Sequence, residues 1–242
     1  MKSHLIPLLA GELQRMLKYG IIGAGILVSL IWIVVLQFTE FTDMDTMLTT
    51  LLFVEATSMS ILWMGVTLFF EKDEGSLRSM LVTPVSRRDH LLAKTIGNGA
   101  PIALALVILY LYAYLLRDLG LGFLPLLAAV ILASVFHSLV GLHLTFRSKS
   151  FTGLLMNMMK YMFVCVLPVI LDHFGAFRND MVSRALYLIP TKASMSLITA
   201  SLGGLEPWEI WFSIAYLAVG SGVLLWLGLR RFDDFAAKEG GG

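Results

Sequence analysis

Residues 21–38 read IIGAGILVSLIWIVVLQF, an 18-residue run without one charged side chain. A helix rises about 1.5 Å per residue, so a run of this length crosses most of the ~30 Å hydrocarbon core of a bilayer. Further apolar runs follow, and together they predict six spans at 20–39, 48–70, 95–116, 121–146, 151–172 and 208–229. Lipid tolerates no open sheet edge, and the strand-length alternation of a membrane barrel is absent, so each span is expected to be a helix. Composition agrees, with 57% hydrophobic residues, only 14% charged and a mean hydropathy of +0.81. Soluble domains carry about 25% charged residues. The expected fold is therefore all-α and integral to the membrane, with residues 1–235 forming a single six-span domain. The Gly-rich end, Glu239-Gly240-Gly241-Gly242, reads as an artificial tail, so 236–242 is left out of that domain.

The net charge of +1 offers no attraction to nucleic acid, but the placement of the charges is informative. Lys2, Arg15, Lys18, Lys72, Arg78, Arg87, Arg88, Lys94, Arg147, Lys149, Arg230, Arg231 and Lys238 fall on one side of the predicted spans. Arg117, Arg178, Arg184 and Lys192 fall on the other, with Lys160 inside a span. Thirteen against four makes the first side cytoplasmic by the positive-inside rule, and both termini lie there. The loop 40–47, with Glu40, Asp43 and Asp45 and no base, suits the outside. So do Tyr110, Tyr112, Tyr114, Trp208 and Trp211, which sit where aromatic belts form. The expected location is the plasma membrane. No cleavable signal peptide is expected, because Glu12, Gln14, Arg15 and Lys18 interrupt the first twenty residues.

Two segments differ from plain spans. In IPLLAGELQRMLKY the positions Leu5, Leu8, Leu9, Leu13, Met16 and Leu17 follow helical spacing, which suits an amphipathic helix in the interface plane. Residues 173–207 are too apolar for a wet loop and are broken by Pro190 and by Gly203-Gly204. They are expected to form short helices in a re-entrant or outer segment, covered by protein or lining a path.

Soluble-type catalytic motifs are missing. The chain has no H-E-x-x-H, no G-x-S-x-G and no G-x-x-x-x-G-K-[ST] phosphate loop, so neither catalysis nor ATP hydrolysis is expected in it. His137 and His143 are six apart and cannot share a metal on one regular helix face. Cys165 is the only cysteine, which excludes an internal disulfide and thiolate zinc clusters. No bound metal or cofactor is expected.

The richest polar segment is 71–94, EKDEGSLRSMLVTPVSRRDHLLAK. Gly75 allows a reversal after the second span. SLRSMLV then predicts a short helix with Leu77, Met80 and Leu81 on one side, stopped by Pro84. Asp89 or Ser86 is placed to cap the next helix. An apolar face on a connecting helix suits a groove on a partner protein.

Glu71…Glu74-Gly75-Ser76-Leu77…Leu81…Thr83-Pro84-Val85-Ser86…Leu91-Leu92-Ala93-Lys94 resembles the cytoplasmic loop of type-2 ABC exporter permeases, particularly those of fluoroquinolone-type drug export. Leu188-Ile189-Pro190-Thr191-Lys192-Ala193-Ser194 resembles the outer segment of the same group, and the likeness covers most of the chain. Arg78 is a departure, since many such permeases carry an acidic residue there. The resemblance implies a transmembrane subunit that pairs with a second copy or a sister permease. Two separate cytoplasmic ABC ATPase subunits, with their ATP and Mg²⁺, would drive it by pushing on the loop helix. Glu71, Glu74, Gly75, Leu77, Met80, Leu81, Pro84, Arg87 and Arg88 are the expected ATPase-docking residues.

Charged and polar residues inside a membrane are costly and are functional candidates by default. Glu55 in the second span, with Asn157 and Lys160 in the fifth, are therefore candidates for the translocation pathway. The expected cargo is a hydrophobic or amphipathic small molecule. The same frame suits a permease for a lipid, peptide or glycan. It also suits a scaffold or sensor that binds a cytoplasmic partner and moves nothing.

Overall fold

A computed structural model of the chain describes residues 5–38, 44–81, 83, 85–116, 122–177, 180–203 and 205–238. Among these residues there is no strand, and six helical stretches are long and apolar enough to cross a membrane. The chain is an all-α multi-pass membrane protein. Arg117, Arg178, Pro84 and Gly204, as well as Glu40 and Asp43 of the first predicted outer loop, lie outside the described residues.

The amphipathic segment forms α1 (Leu5–Lys18), and a turn at Gly20 leads into α2 (Ile21–Phe38), the first span. Gly20 has φ +72°, a conformation costly for any side-chain-bearing residue. The second span is α3 (Met44–Val54), a π-turn over Glu55–Met59, and α4 (Ser60–Asp73). The loop helix is α5 (Ser76–Leu81), and the third span runs through α6 (Arg87–Gly97) and α7 (Gly99–Leu116). It breaks at Asn98, three residues before Pro101, whose ring blocks the regular bond to the carbonyl of Gly97. The fourth span is α8 (Phe123–Arg147).

The fifth span is α9 (Phe151–Tyr161), a π-turn over Met162–Val166, and α10 (Leu167–His173). Pro168 has no N–H for the carbonyl of Val164, which accounts for the ladder loosening just before it. The hydroxyl of Thr191 donates to the Cys165 carbonyl inside the same turn. Then come α11 (Asp180–Ala185), a 3₁₀ turn over Leu186–Leu188, α12 (Pro190–Ala200) and α13 (Pro207–Lys238), which carries the last span. The helices overrun the predicted spans at several ends, because a backbone ladder begun in hydrocarbon continues into polar residues until a breaker stops it.

The second span is the central one. Its most apolar stretch is 78% buried, against 22% for the first span and 17% for the last. Gly141 of α8 lets the fourth span approach its backbone: a Cβ there would lie 2.8 Å from the Ile61 carbonyl oxygen and 2.9 Å from Ile61 Cα. Polar bonds register the same contact. Asn98 donates from Nδ2 to the Ser60 carbonyl at 2.9 Å and to Ser138 Oγ at 2.6 Å, and Ser60 Oγ donates to Ser134 Oγ at 2.9 Å. α12 is sunk beside α3, α8 and α13, with Thr191, Ala193, Ser194, Met195, Ser196, Leu197 and Ile198 all buried. α12, within the broken segment after the fifth span, is thus part of the bundle's interior, whereas Met181 and Leu188 of that segment are exposed. Backbone without regular spans is tolerated around α12 because protein covers it.

Candidate functional site

The segment 71–94 starts at the end of α4, turns, and returns at the head of α6, so its two ends lie at similar depth. Gly75, with φ +69°, makes the reversal. Ser86 Oγ accepts from the Asp89 amide at 3.0 Å, so Ser86 and not Asp89 is the cap of α6. Leu77 is buried in an apolar cluster with Met64, Leu68, Leu91, Leu139, Leu142 and Phe232. An outward apolar face is predicted for the loop helix, yet at Leu77 that face turns inward. A short helix beside a large apolar cluster loses water by closing onto it, before any partner arrives.

Four charges meet beneath this loop. Lys94 Nζ of α6 lies 2.8 Å from Glu71 Oε1 of α4 and 3.2 Å from Glu12 Oε2 of α1. Arg15 of α1 pairs with Glu71 Oε1 at 2.9 Å and with Glu12 on its own helix. Side chains of Lys94, Glu12 and Glu71 are each 1% exposed, whereas Arg15 is 28% exposed. The cluster is neutral, and each buried charge touches an opposite one, the condition under which buried ions persist. Gly97 permits the approach of α1, since a Cβ there would lie 3.1 Å from Glu12 Cβ.

A second, wetter clasp stands beside the first. Glu74 accepts from Lys18 Nζ at 2.8 Å and from the Tyr19 hydroxyl at 2.6 Å. The Lys18 and Tyr19 bonds hold the Glu74 carboxyl below the usual carboxylate range. Burial, and then the bond to Glu74, push the Tyr19 phenol above its usual value. The Tyr19 ring packs on Phe70 of α4, with centroids 4.7 Å apart.

Of the other predicted docking residues, Arg87 and Arg88 are exposed at the start of α6. Met80 and Leu81 belong to α5, and their side chains, like Pro84, lie outside the described residues. The three predicted pathway residues are not gathered into one cluster. Glu55 is 2% exposed and accepts a 2.9 Å bond from Trp32 Nε1 of α2. Asn157 donates from Nδ2 to Ser148 Oγ at 3.1 Å, and Lys160 is exposed on α9. His137 and His143 bond to the carbonyls of Ala133 and Leu224, at 2.8 and 2.9 Å. Among the described residues, no group of three or more His, Cys, Asp or Glu could hold a metal.

At the other end of the bundle, Asp172 receives Lys192 Nζ and Ser183 Oγ, both at 2.6 Å. Tyr187 donates to Glu209, and burial together with that bond pushes its phenol up to about 12. The Asp172 bonds fasten α10 to α11 and α12, and the Tyr187 bond ties the 3₁₀ turn to α13.

In the sequence reading Lys94 is a positive-inside charge and the end of the loop motif, Arg15 a positive-inside charge and an interruption of a signal core, and Glu12 such an interruption alone. One signal could have joined them. Glu71 and Lys94 bracket one loop at equal depth, and Glu12 and Arg15 share a face of the preceding amphipathic helix.

The model of the fluoroquinolones export permease protein family matches residues 3–239. Two relatives, each named a fluoroquinolones export permease protein, come from Mycobacterium tuberculosis, strains CDC 1551 / Oshkosh and ATCC 25618 / H37Rv. Each is 24% identical over 241 residues, which is 99% of this chain and 99% of the relative.

Proposed function

Because the chain belongs to the fluoroquinolones export permease family, we propose that it is the membrane-spanning subunit of an ABC exporter. It carries a hydrophobic or amphipathic small molecule, of which a fluoroquinolone is the first to test, out of the cytoplasm. The observation that carries this reading is the family match across nearly the whole chain. The energy comes from ATP, hydrolysed with Mg²⁺ by separate ATPase subunits on the cytoplasmic face. The basic end of the bundle is that face, both termini lie there, and the membrane is the plasma membrane. The substrate path runs between this permease and a second copy or a sister permease.

The loop 71–94 is the docking element. Its exposed Glu74, Arg87 and Arg88 meet the ATPase, with Met80, Leu81 and Pro84 assigned to the same surface on sequence pattern. Glu71 and Leu77 act from below, holding the loop to the bundle. α1 lies in the interface, and its exposed Ile6, Leu13 and Leu17 face lipid.

Co-purification with the ATPase encoded nearest to it, followed by ATP-dependent movement of a fluoroquinolone into inverted vesicles, tests the proposal. An ATPase complex with ATP-driven uptake is expected. Absence of any bound ATPase overturns the exporter. Movement of a lipid or peptide in place of the drug overturns the substrate class alone.

A further inference from the structure

Resting on the exporter reading above, we propose that Glu12, Arg15, Glu71 and Lys94 lock α1 and the 71–94 loop into one rigid lever. Lys94 is its positioning residue. Motor movement at the loop would then reach the first span through the turn at Gly20, without passing through the core of the bundle.

Three observations carry this. First, Lys94 joins three separate elements: its ammonium lies between Glu71 of α4 and Glu12 of α1 while its own backbone is in α6. A buried ion cluster is a poor device for stability alone, since well-packed apolar residues serve as well or better. Geometry is what it adds, because opposed charges in a dry site tolerate little displacement. Second, Glu12 is one of two fully buried side chains on α1, a helix that lies along α6. The other is Met16, and Ile6, Leu13 and Leu17 are exposed. Third, the joint continues to the first span without slack. Tyr19 N bonds the Arg15 carbonyl at 2.8 Å, Gly20 N the Leu17 carbonyl at 3.1 Å, and Ala24 N the Gly20 carbonyl at 2.9 Å. Tyr19 is meanwhile held by Glu74 and Phe70. The first span itself is little covered by the rest of the chain, so a push on α1 meets little resistance.

The test uses the full permease–ATPase complex. Glu12→Gln with Lys94→Met removes one cation and one anion and leaves the Arg15–Glu71 pair intact. This double variant is expected to bind the ATPase and support ATP hydrolysis, while substrate moved per ATP falls about tenfold. Unchanged transport per ATP in the folded double variant overturns the lever. A second measurement leaves the cluster native and therefore decides the matter if that variant does not fold. Spin labels on a Cys165→Ser background, at Leu17→Cys with Asp73→Cys and at Leu17→Cys with Leu124→Cys, are compared without nucleotide and with ATP trapped. The Leu17–Asp73 separation is expected to stay fixed while Leu17–Leu124 changes by about 2 Å. A Leu17–Asp73 change of that size overturns the rigid joint. A parent complex that shows no ATPase binding and no ATP-dependent movement overturns the exporter reading instead.

Discussion

Glu55 accepts a hydrogen bond from the Trp32 indole, within the most enclosed span. That geometry separates an acceptor role from a charge role. Glu55→Gln keeps an oxygen for the indole N–H, so it should leave thermal stability in detergent nearly unchanged. Glu55→Leu strands a donor in a dry setting, and a loss of about 1–3 kcal/mol is expected. Unfolding curves of the two variants check this, and equal losses would refute the bond as the reason for Glu55's burial. Lys94 teaches a related lesson. The positive-inside rule counts it as an interfacial charge, but its ammonium is buried in a neutral cluster.

At the scale of elements, the joint between α1 and the loop has an inner part that is dry and an outer part that titrates. Glu74 has a depressed pKa in the folded protein. A depressed carboxylate contributes its tether above the ordinary carboxylate value, about 4.3, and loses it as pH falls through the lower folded value. The Lys18–Glu74–Tyr19 clasp is therefore expected to be closed at neutral pH and to open only on strong acidification. Hydrogen exchange of the backbone around 71–76, followed from neutral pH downward, should show protection falling below the ordinary carboxylate range after correction for intrinsic rates. Loss of protection already at pH 6 would contradict it.

For the whole molecule, the basic bias assigns a direction to the bundle. Single cysteines on a Cys165→Ser background at Lys18 and Lys149 should react with a membrane-impermeant thiol reagent only from the cytoplasmic side. Cysteines at Leu124 and Trp208 should react from outside. Labelling of intact cells against inverted vesicles reads this directly, and the reverse pattern would overturn the assigned orientation. All four positions are exposed or sit at helix ends, so a lack of reaction would reflect the membrane and not the fold.

Much of the fold was legible because hydrophobicity along one helix is a local property. The six spans, the amphipathic start, the reversal at Gly75 and the broken segment around Pro190 each follow from a run of neighbouring residues. The two π-turns, the burial of α12, the inward turn of Leu77 and the meeting of Glu12, Arg15, Glu71 and Lys94 do not. Each depends on residues far apart in the chain arriving at one place: Thr191 reaching the carbonyl of Cys165, or Glu12 of the first helix reaching Lys94 of the third span. Composition and spacing determined that the chain must lie in a membrane and where it crosses. Only tertiary packing decided which charges are dry, because burial is set by what the neighbouring helices cover.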